Sequence, residues 1–217
     1  MIRKHYEIVK NDIAGKADLC IVSKHRTTDE IMEYYHEGQR IFGENRAAEL
    51  KKKAEVLPED IEWHFIGHLQ KNKVRQVVPH VSCIQSLDSL ELAALIEKEA
   101  ARENRIIRAF AEFHLAVDDT NKTGLSKENA VSFIRECAGY AHIDLCGIMC
   151  MGPHTEDKAK IHSVFAEGEE LFRMLQKEFG SDKIRTLSMG MSDDYRIALE
   201  HSSNMVRIGT YLFEDDQ

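Results

Sequence analysis

The sequence predicts an α/β fold in which a single (β/α)8 barrel, a TIM barrel, spans residues 1–217 as one domain. Short apolar runs alternate eight times with segments of helical periodicity, which favours a parallel sheet flanked by helices. No linker or low-complexity tract interrupts the alternation. An open doubly wound sheet is the competing arrangement, but the glycine-rich phosphate-binding turn after its first strand is missing. Eight uninterrupted units therefore favour the closed barrel.

Short apolar runs bounded by turn residues predict the strands, and helical spacing between capping residues predicts the helices. The expected strands cover residues 19–23, 40–42, 62–67, 81–85, 106–113, 143–149, 184–188 and 205–208. The expected helices cover residues 2–14, 27–37, 47–56, 70–77, 89–103, 126–140, 155–179 and 193–200, with Asp88 as the N-cap of the fifth helix.

The charge balance argues against one class of partner. The formal net charge is -8, and no basic stripe of the kind that binds nucleic acid runs along the chain. The local run Lys51, Lys52 and Lys53 is balanced by Glu49 and Glu55, so it is predicted to be a solvated helix face. We therefore expect no nucleic-acid partner.

Cysteine usage and the N-terminus indicate a reducing compartment. The five cysteines are an odd number without paired spacing, and three of them lie in apolar segments, where a thiol behaves as a small hydrophobe. The first residues lack the apolar stretch of a signal peptide, and no apolar run is long enough to cross a bilayer. We expect a cytoplasmic protein without membrane contact.

Lys24 is the first candidate for chemistry, because it follows the apolar run of the first strand directly. The active face of a (β/α)8 barrel is built where the strands end, so Lys24 is expected at the mouth of the barrel. A lysine amine in its neutral form condenses with an aldehyde to form a Schiff base. The alternative is a lysine that simply emerges into solvent at the end of a strand.

The loops after the last two strands predict a phosphate site. Barrels often bind phosphate with these two loops. Gly190 and Gly209 let backbone amides approach an anion, and the hydroxyls of Ser188 and Thr210 can donate hydrogen bonds to it. In the alternative interpretation the glycines only form turns and Ser192 is an N-cap.

A lysine amine that faces a phosphate site suggests an aldehyde that carries a phosphate, and pyridoxal 5′-phosphate is such a molecule. Arg207 is then expected near the pyridine nitrogen. A cationic arginine cannot accept the ring proton, so the neutral ring is a poor electron sink for carbanion chemistry. The alternative for Arg207 is an ordinary ion pair at the rim, for example with Glu44.

Seven stretches carry a resemblance to a known family, and together they span nearly the whole chain. They are VSK (22–24), GQRIFGEN (38–45), WHFIGHLQKNK (63–73), NKTGL (121–125), GIMCM (147–151), LSMGMSDD (187–194) and MVRIGT (205–210). The chain resembles the pyridoxal-phosphate homeostasis proteins, which share the N-terminal barrel of alanine racemase.

The resemblance implies a role for each matching residue. Lys24 would form the Schiff base, and Arg207 would lie against the pyridine nitrogen. Asn45 and Met149 would lie beside the cofactor, and Lys122 would be a second lysine that accepts the cofactor in transit. The residues that would hold the phosphate are Ser188, Met189, Gly209 and Thr210.

Metal binding is not expected. His64 and His68 are four residues apart, but a strand and a glycine intervene and no third ligand is suitably spaced. Cys146 and Cys150 lack partners for a metal site.

Two functions are left open at this stage. In the first, which the resemblance favours, a cytoplasmic monomer buffers pyridoxal phosphate without turnover and delivers it to apo-enzymes that depend on it. In the second, the protein is an enzyme, such as an amino-acid racemase, that uses the same cofactor. The related racemases take their second acid/base from an added C-terminal domain, which this 217-residue chain is expected to lack.

Overall fold

The computed structural model describes residues 4–116 and 124–213. The predicted (β/α)8 barrel is confirmed, since eight strands close in sequence order and every neighbouring pair is parallel. The strands are β1 (Asp18–Val22), β2 (Ile41–Glu44), β3 (Glu62–Phe65), β4 (Cys83–Leu87), β5 (Ile107–Phe113), β6 (Ile143–Cys150), β7 (Thr186–Ser188) and β8 (Met205–Ile208).

The helices form a layer around the strands. They are α1 (Lys4–Ile13), α2 (Thr28–His36), α3 (Ala47–Ala54), α4 (Val74–Val77), α5 (Leu90–Arg102), α6 (Ala130–Cys137), α7 (Lys158–Phe179), α8 (Tyr195–Glu200) and α9 (Thr210–Phe213). Short 3₁₀ turns at Lys71–Lys73 and Lys127–Asn129 precede α4 and α6. Within the described ranges, no helix has both the length and the apolar character that a bilayer span requires.

Local sequence accounts for several helix ends. Thr27 and Glu30 form a reciprocal capping box at the start of α2, and Gly38 follows its end with φ near +87°. The expected cap of α5 was wrong by one residue. The side chain of Ser89 accepts the hydrogen bond from the backbone N–H of Leu92, while Asp88 lies 3.2 Å from His68 Nδ1.

The fourth strand shows the largest shift from the predicted boundaries. β4 covers Cys83–Leu87 rather than 81–85, and its register with β5 is irregular between Ile84 and Leu87. An irregularity of this kind depends on the partner strand, so the apolar pattern of one segment does not reveal it. The short helix α9 was not predicted either.

The apolar core has two parts. A large cluster lies between the strands and the helices and includes Phe42, Phe65, Phe165 and other fully buried side chains. A smaller cluster contains Cys83, Phe110, Cys146, Met149 and Met205. All five cysteines are buried and free, and burial raises the pKa of each thiol, so they behave as small apolar side chains.

The predicted solvated face of α3 was wrong for one of its three lysines. Lys53 is only 8% exposed, and its ammonium contacts a carboxylate on β2. Lys51 and Lys52 are exposed, as predicted. Three consecutive helix residues point in three directions, so a run of lysines cannot all face the solvent when the helix packs on a barrel.

Candidate functional site

Closure of the barrel brings the end of β1 next to the loop that follows β8. Ile21 is paired with Ile208, so Val22 lies opposite Gly209. A Cβ on Gly209 would lie 3.0 Å from Val22 Cβ and 3.1 Å from the Val22 carbonyl oxygen. Only a residue without a side chain fits here without displacing strand β1. The glycine that was predicted from the phosphate pattern therefore lies beside the strand that leads to Lys24.

Lys24 begins the turn that leaves β1. The hydroxyl of Ser23 points toward the helix layer, where it meets a carboxylate on β2. Val22 is the last residue of β1, and Lys24 lies two residues further on, in the turn at the mouth end of the barrel. The Lys24 side chain is exposed. An amine at this position is accessible to a ligand that enters the mouth of the barrel.

The loop after β7 is held in a defined shape. Gly190 has φ near +94°, and a Cβ there would lie 2.7 Å from Ala198 Cβ. The backbone N–H of Met191 donates to Asp194 Oδ1 at 2.6 Å, and burial raises the pKa of the Asp194 carboxyl. Ser192 Oγ accepts a hydrogen bond from the backbone N–H of Tyr211 at 3.3 Å. The loops after β7 and β8 are thus joined at the mouth.

Arg207 is buried and uses its guanidinium to bind backbone and hydroxyl oxygens. Nη1 donates to the Ser188 carbonyl at 2.9 Å and to Ser188 Oγ at 2.6 Å, and Nη2 donates to the Cys150 carbonyl at 3.1 Å. Burial lowers the pKa of this guanidinium, although an arginine keeps its charge in proteins. The alternative pairing of Arg207 with Glu44 was wrong, because Glu44 pairs with Lys53.

A chain of polar side chains continues from Arg207 across the barrel. Ser188 Oγ donates to Gln85 Oε1 at 2.7 Å, and Gln85 Nε2 donates to His64 Nδ1 at 2.8 Å. All three of these side chains are fully buried. Burial lowers the pKa of His64 to about 3, so its ring is neutral and can accept this hydrogen bond. These hydrogen bonds fix the orientation of the Arg207 guanidinium from the interior of the barrel.

The structure gives two of the predicted phosphate residues other partners. The Ser188 hydroxyl already donates to Gln85, and the backbone N–H of Met189 donates to the Met205 carbonyl at 3.1 Å. Both residues are fully buried. Gly209 and Thr210 lie at the mouth, and Thr210 is exposed. The predicted set therefore divides into residues of the barrel wall and residues of the rim.

Asn45 and Met149 lie at different depths. Asn45 follows β2 and packs closely against Gly67, where a Cβ would lie 2.8 Å from Asn45 Cβ. Its Oδ1 atom is buried and accepts no hydrogen bond from the residues that the structure describes. Met149 is buried in the small interior cluster, next to Ser188 in the strand register. Lys122 lies outside the described residues.

Sequence reasoning missed two members of this arrangement. Gln85 is a polar residue in an otherwise apolar predicted strand, and that contrast was the available signal. Ser192 was given no role beyond that of an N-cap, but its hydroxyl accepts a hydrogen bond from the backbone N–H of Tyr211 in α9. Among residues 4–116 and 124–213, no three His, Cys, Asp or Glu side chains are grouped so that they could hold a metal ion.

The fold and these residues define a class of barrel protein. Comparison with known proteins identifies the family to which it belongs. The model of the alanine racemase N-terminal domain matches residues 1–217. A pyridoxal phosphate homeostasis protein of Aquifex aeolicus is 36% identical over 205 residues, which cover 92% of this chain and 89% of that protein. One of Helicobacter pylori is 35% identical over 200 residues, which cover 91% and 87%.

Two solved structures of one protein, PipY, are similar to this chain over nearly its whole length. PipY of Synechococcus elongatus, without pyridoxal phosphate, superimposes with a TM-score of 0.92 at 31% identity and covers 99% of this chain and 100% of its own. The structure of PipY with pyridoxal phosphate bound has a TM-score of 0.88 at 29% identity and covers the same fractions of the two chains. The chain belongs to the alanine racemase N-terminal domain family and, within it, to the pyridoxal phosphate homeostasis proteins. The predicted resemblance is confirmed.

Proposed function

We propose that this protein binds pyridoxal phosphate at the mouth of the barrel, buffers it and delivers it to apo-enzymes, without catalytic turnover of its own. One observation carries the proposal. The pairing of β1 with β8 places Gly209 against Val22, and Val22 lies two residues before the exposed Lys24. An amine and a phosphate-binding loop on adjacent strands suit a ligand that has an aldehyde and a phosphate.

The relatives support the choice of ligand. The names of the Aquifex and Helicobacter proteins refer to the homeostasis of pyridoxal phosphate, and PipY was solved with that molecule bound. Their names describe homeostasis and not a reaction, which favours a carrier over an enzyme.

The residues at the mouth fit this group. Asn45 Oδ1 is a buried polar atom without a partner among the described residues, and the lack of a side chain at Gly209 lets its backbone lie directly against β1. When bound, the cofactor supplies an aldehyde carbon, with which the Lys24 amine forms a Schiff base as one water leaves. Asn45 would contact the bound ring from the neighbouring strand, and Met149 would form part of the apolar floor.

The rim residues would hold the phosphate. The Gly209 and Thr210 backbone is open at the mouth, and the Ser192 hydroxyl can donate its own proton while it accepts the Tyr211 N–H. Ser188 and Met189 would support these rim residues without contacting the phosphate. Ser188 orients Arg207, and Met189 anchors the loop to β8 through its hydrogen bond with the Met205 carbonyl.

Arg207 favours a carrier over an enzyme. Its described hydrogen bonds use three of the five guanidinium N–H donors, which leaves two for the ring of a ligand. A cation beside the pyridine nitrogen opposes protonation of the ring, and an unprotonated ring withdraws electrons poorly. Most carbanion reactions of this cofactor draw on that withdrawal.

The proposal also covers assembly and location. We expect a monomer that consists of one domain and works in the cytoplasm. Five buried free thiols suit a reducing compartment. Light scattering of the cofactor-loaded protein would measure the mass, and a value of twice 24.9 kDa would contradict the monomer.

A transfer experiment tests the function. Cofactor-loaded protein is mixed with an apo-enzyme that depends on pyridoxal phosphate, and recovery of that enzyme's activity is followed against an equal amount of free cofactor. Recovery that depends on loaded protein, together with undetectable conversion of L-amino acids to D-amino acids by the protein alone, is the expected result. Robust racemisation would contradict the carrier and favour the enzyme.

A further inference from the structure

A buried ion pair lies directly behind the turn that carries Lys24. Lys53 Nζ of α3 donates to Glu44 Oε1 of β2 at 2.7 Å and to the Ser23 carbonyl oxygen at 2.8 Å. The Ser23 hydroxyl donates to the same carboxylate oxygen, Glu44 Oε1, at 2.7 Å. The hydroxyl and the carbonyl of Ser23 therefore both contact this pair of charges, and the carbonyl also accepts the backbone N–H of Arg26 at 3.0 Å.

The residue after Lys24 is held by the same helix. The backbone N–H of His25 donates to Glu49 Oε2 at 3.0 Å, and His25 has φ near +64°, which is uncommon for a residue with a side chain. Lys53 Nζ also lies 3.5 Å from Glu49 Oε2. α3 thus holds the backbone on both sides of Lys24.

A buried ion pair is a costly way to stabilise this position of the fold. Glu44 is fully buried, burial raises the pKa of its carboxyl, and its Oε2 atom has no partner among the described residues. Removing two charges from water is costly, and apolar residues of similar volume often serve the stability of a fold equally well or better. Positioning of the neighbouring backbone explains a buried ion pair with an unsatisfied oxygen more readily than stability does.

We propose that the Glu44–Lys53 pair is a positioning device for Lys24, which it holds at the mouth by fixing the Ser23 carbonyl and hydroxyl. The inference rests on the proposed function, because it assumes that the Lys24 amine reacts with the cofactor. Lys53 and Glu44 touch no ligand in this account, and they act through the backbone of Ser23 and the turn that follows it.

The test separates positioning from stability with two variants. Lys53→Met leaves a buried unpaired carboxylate and is expected to destabilise the fold. The double variant Lys53→Met with Glu44→Gln removes both charges, so its unfolding midpoint is expected to return close to that of the wild type. The Ser23 carbonyl remains without its Lys53 donor in both variants. A role limited to stability would therefore be restored in the double variant, whereas a positioning role would not.

The readout is the rate at which the visible absorbance of the lysine-linked cofactor forms after pyridoxal phosphate is mixed with cofactor-free protein. It is measured at a temperature at which circular dichroism shows each variant folded. We expect the double variant to form the band roughly tenfold more slowly than the wild type, since small displacements of a reactive group reduce its reactivity strongly. Arg108→Met serves as the control, because it removes another ion pair, with Glu62, well before the strand ends that form the mouth.

Each result decides between the two claims. A double variant of near wild-type stability with slow band formation supports the inference, provided that Arg108→Met reacts at the wild-type rate. A double variant that reacts at the wild-type rate overturns the inference and leaves the proposed function intact. A wild-type protein that forms no band overturns the proposed function, and the inference with it.

Discussion

The guanidinium of Arg207 and the hydroxyl of Ser188 are joined by a 2.6 Å hydrogen bond between β8 and β7. Both side chains are buried, and the same hydroxyl donates onward to Gln85. Ser188 therefore connects the buried guanidinium of Arg207 to the neutral polar side chains of Gln85 and His64 inside the barrel. The position of the guanidinium that we propose to face the cofactor ring depends on a serine of the barrel wall.

Replacing Ser188 by alanine tests this connection. The change leaves Gln85 Oε1 without its donor and removes one acceptor of Arg207, so we expect a loss of about 1–3 kcal/mol in the free energy of unfolding, measured in urea. Ser132→Ala is the matched control, since the Ser132 hydroxyl donates only to the exposed Asn129 carbonyl. Its effect should stay within about 0.5 kcal/mol. Equal losses in the two variants would contradict the described role of Ser188.

Gly209→Ala tests the close approach of the last loop to β1. The added methyl would lie 3.0 Å from Val22 Cβ and 3.1 Å from its carbonyl, so the loop must move away from the strand. We expect weaker binding of pyridoxal phosphate, by up to roughly tenfold, since a displacement of a few tenths of an ångström already disturbs the geometry of a binding group. Fluorescence titration measures the affinity.

Gly139→Ala provides the control for the same chemical change. A Cβ at Gly139 meets its nearest neighbour, the Glu136 carbonyl, at an ordinary 3.5 Å. This variant should bind the cofactor as the wild type does. If Gly209→Ala also keeps the wild-type affinity, the loop after β8 does not hold the ligand in the way proposed.

The buried His64 predicts a pH dependence of stability. Burial lowers its pKa to about 3, while the unfolded chain binds the proton near the ordinary value of 6.5. The stability that comes from a neutral His64 is complete above pH 6.5 and is lost as the pH falls from there toward 3. At pH 4.5 the loss is on the order of 2–3 kcal/mol relative to pH 7.

Variants isolate this effect from the other titrating groups. His64→Gln keeps a polar side chain beside Gln85 but cannot take up a proton, so the free energy of unfolding should fall less between pH 7 and pH 4.5 than in the wild type. His36→Gln, at an exposed position of α2, should retain the wild-type dependence. An identical pH dependence for His64→Gln and the wild type would show that the ring is not kept neutral by the fold.

The fold was predictable because its signals are local. Alternating strands and helices, the capping box at Thr27 and the glycine after α2 each act within a few residues. The register of β4 was not predictable, because its irregularity arises from pairing with β5. The boundaries of the eighth strand were predicted without error, and those of the others differ by one or two residues.

The candidate site was predictable only in part. The rule that barrel strands carry function at their ends selects Lys24, Asn45 and Gly209 as candidates, and each lies within two residues of the end of a strand in the structure. Burial of Lys53 was not predictable, because its partner Glu44 lies on a different element and the neighbouring lysines are solvated. The engagement of the Ser188 hydroxyl by Gln85 connects residues 103 positions apart, which no local pattern reports.

The most direct measurement is the visible absorbance of the protein loaded with pyridoxal phosphate, compared among the wild type, Lys24→Ala and Lys16→Ala. Lys16 is also exposed but precedes β1, at the opposite end of the strand from the mouth. We predict a band of lysine-linked cofactor in the wild type and in Lys16→Ala, and its loss in Lys24→Ala. A band of unchanged intensity in Lys24→Ala would contradict the central claim that this amine holds the cofactor.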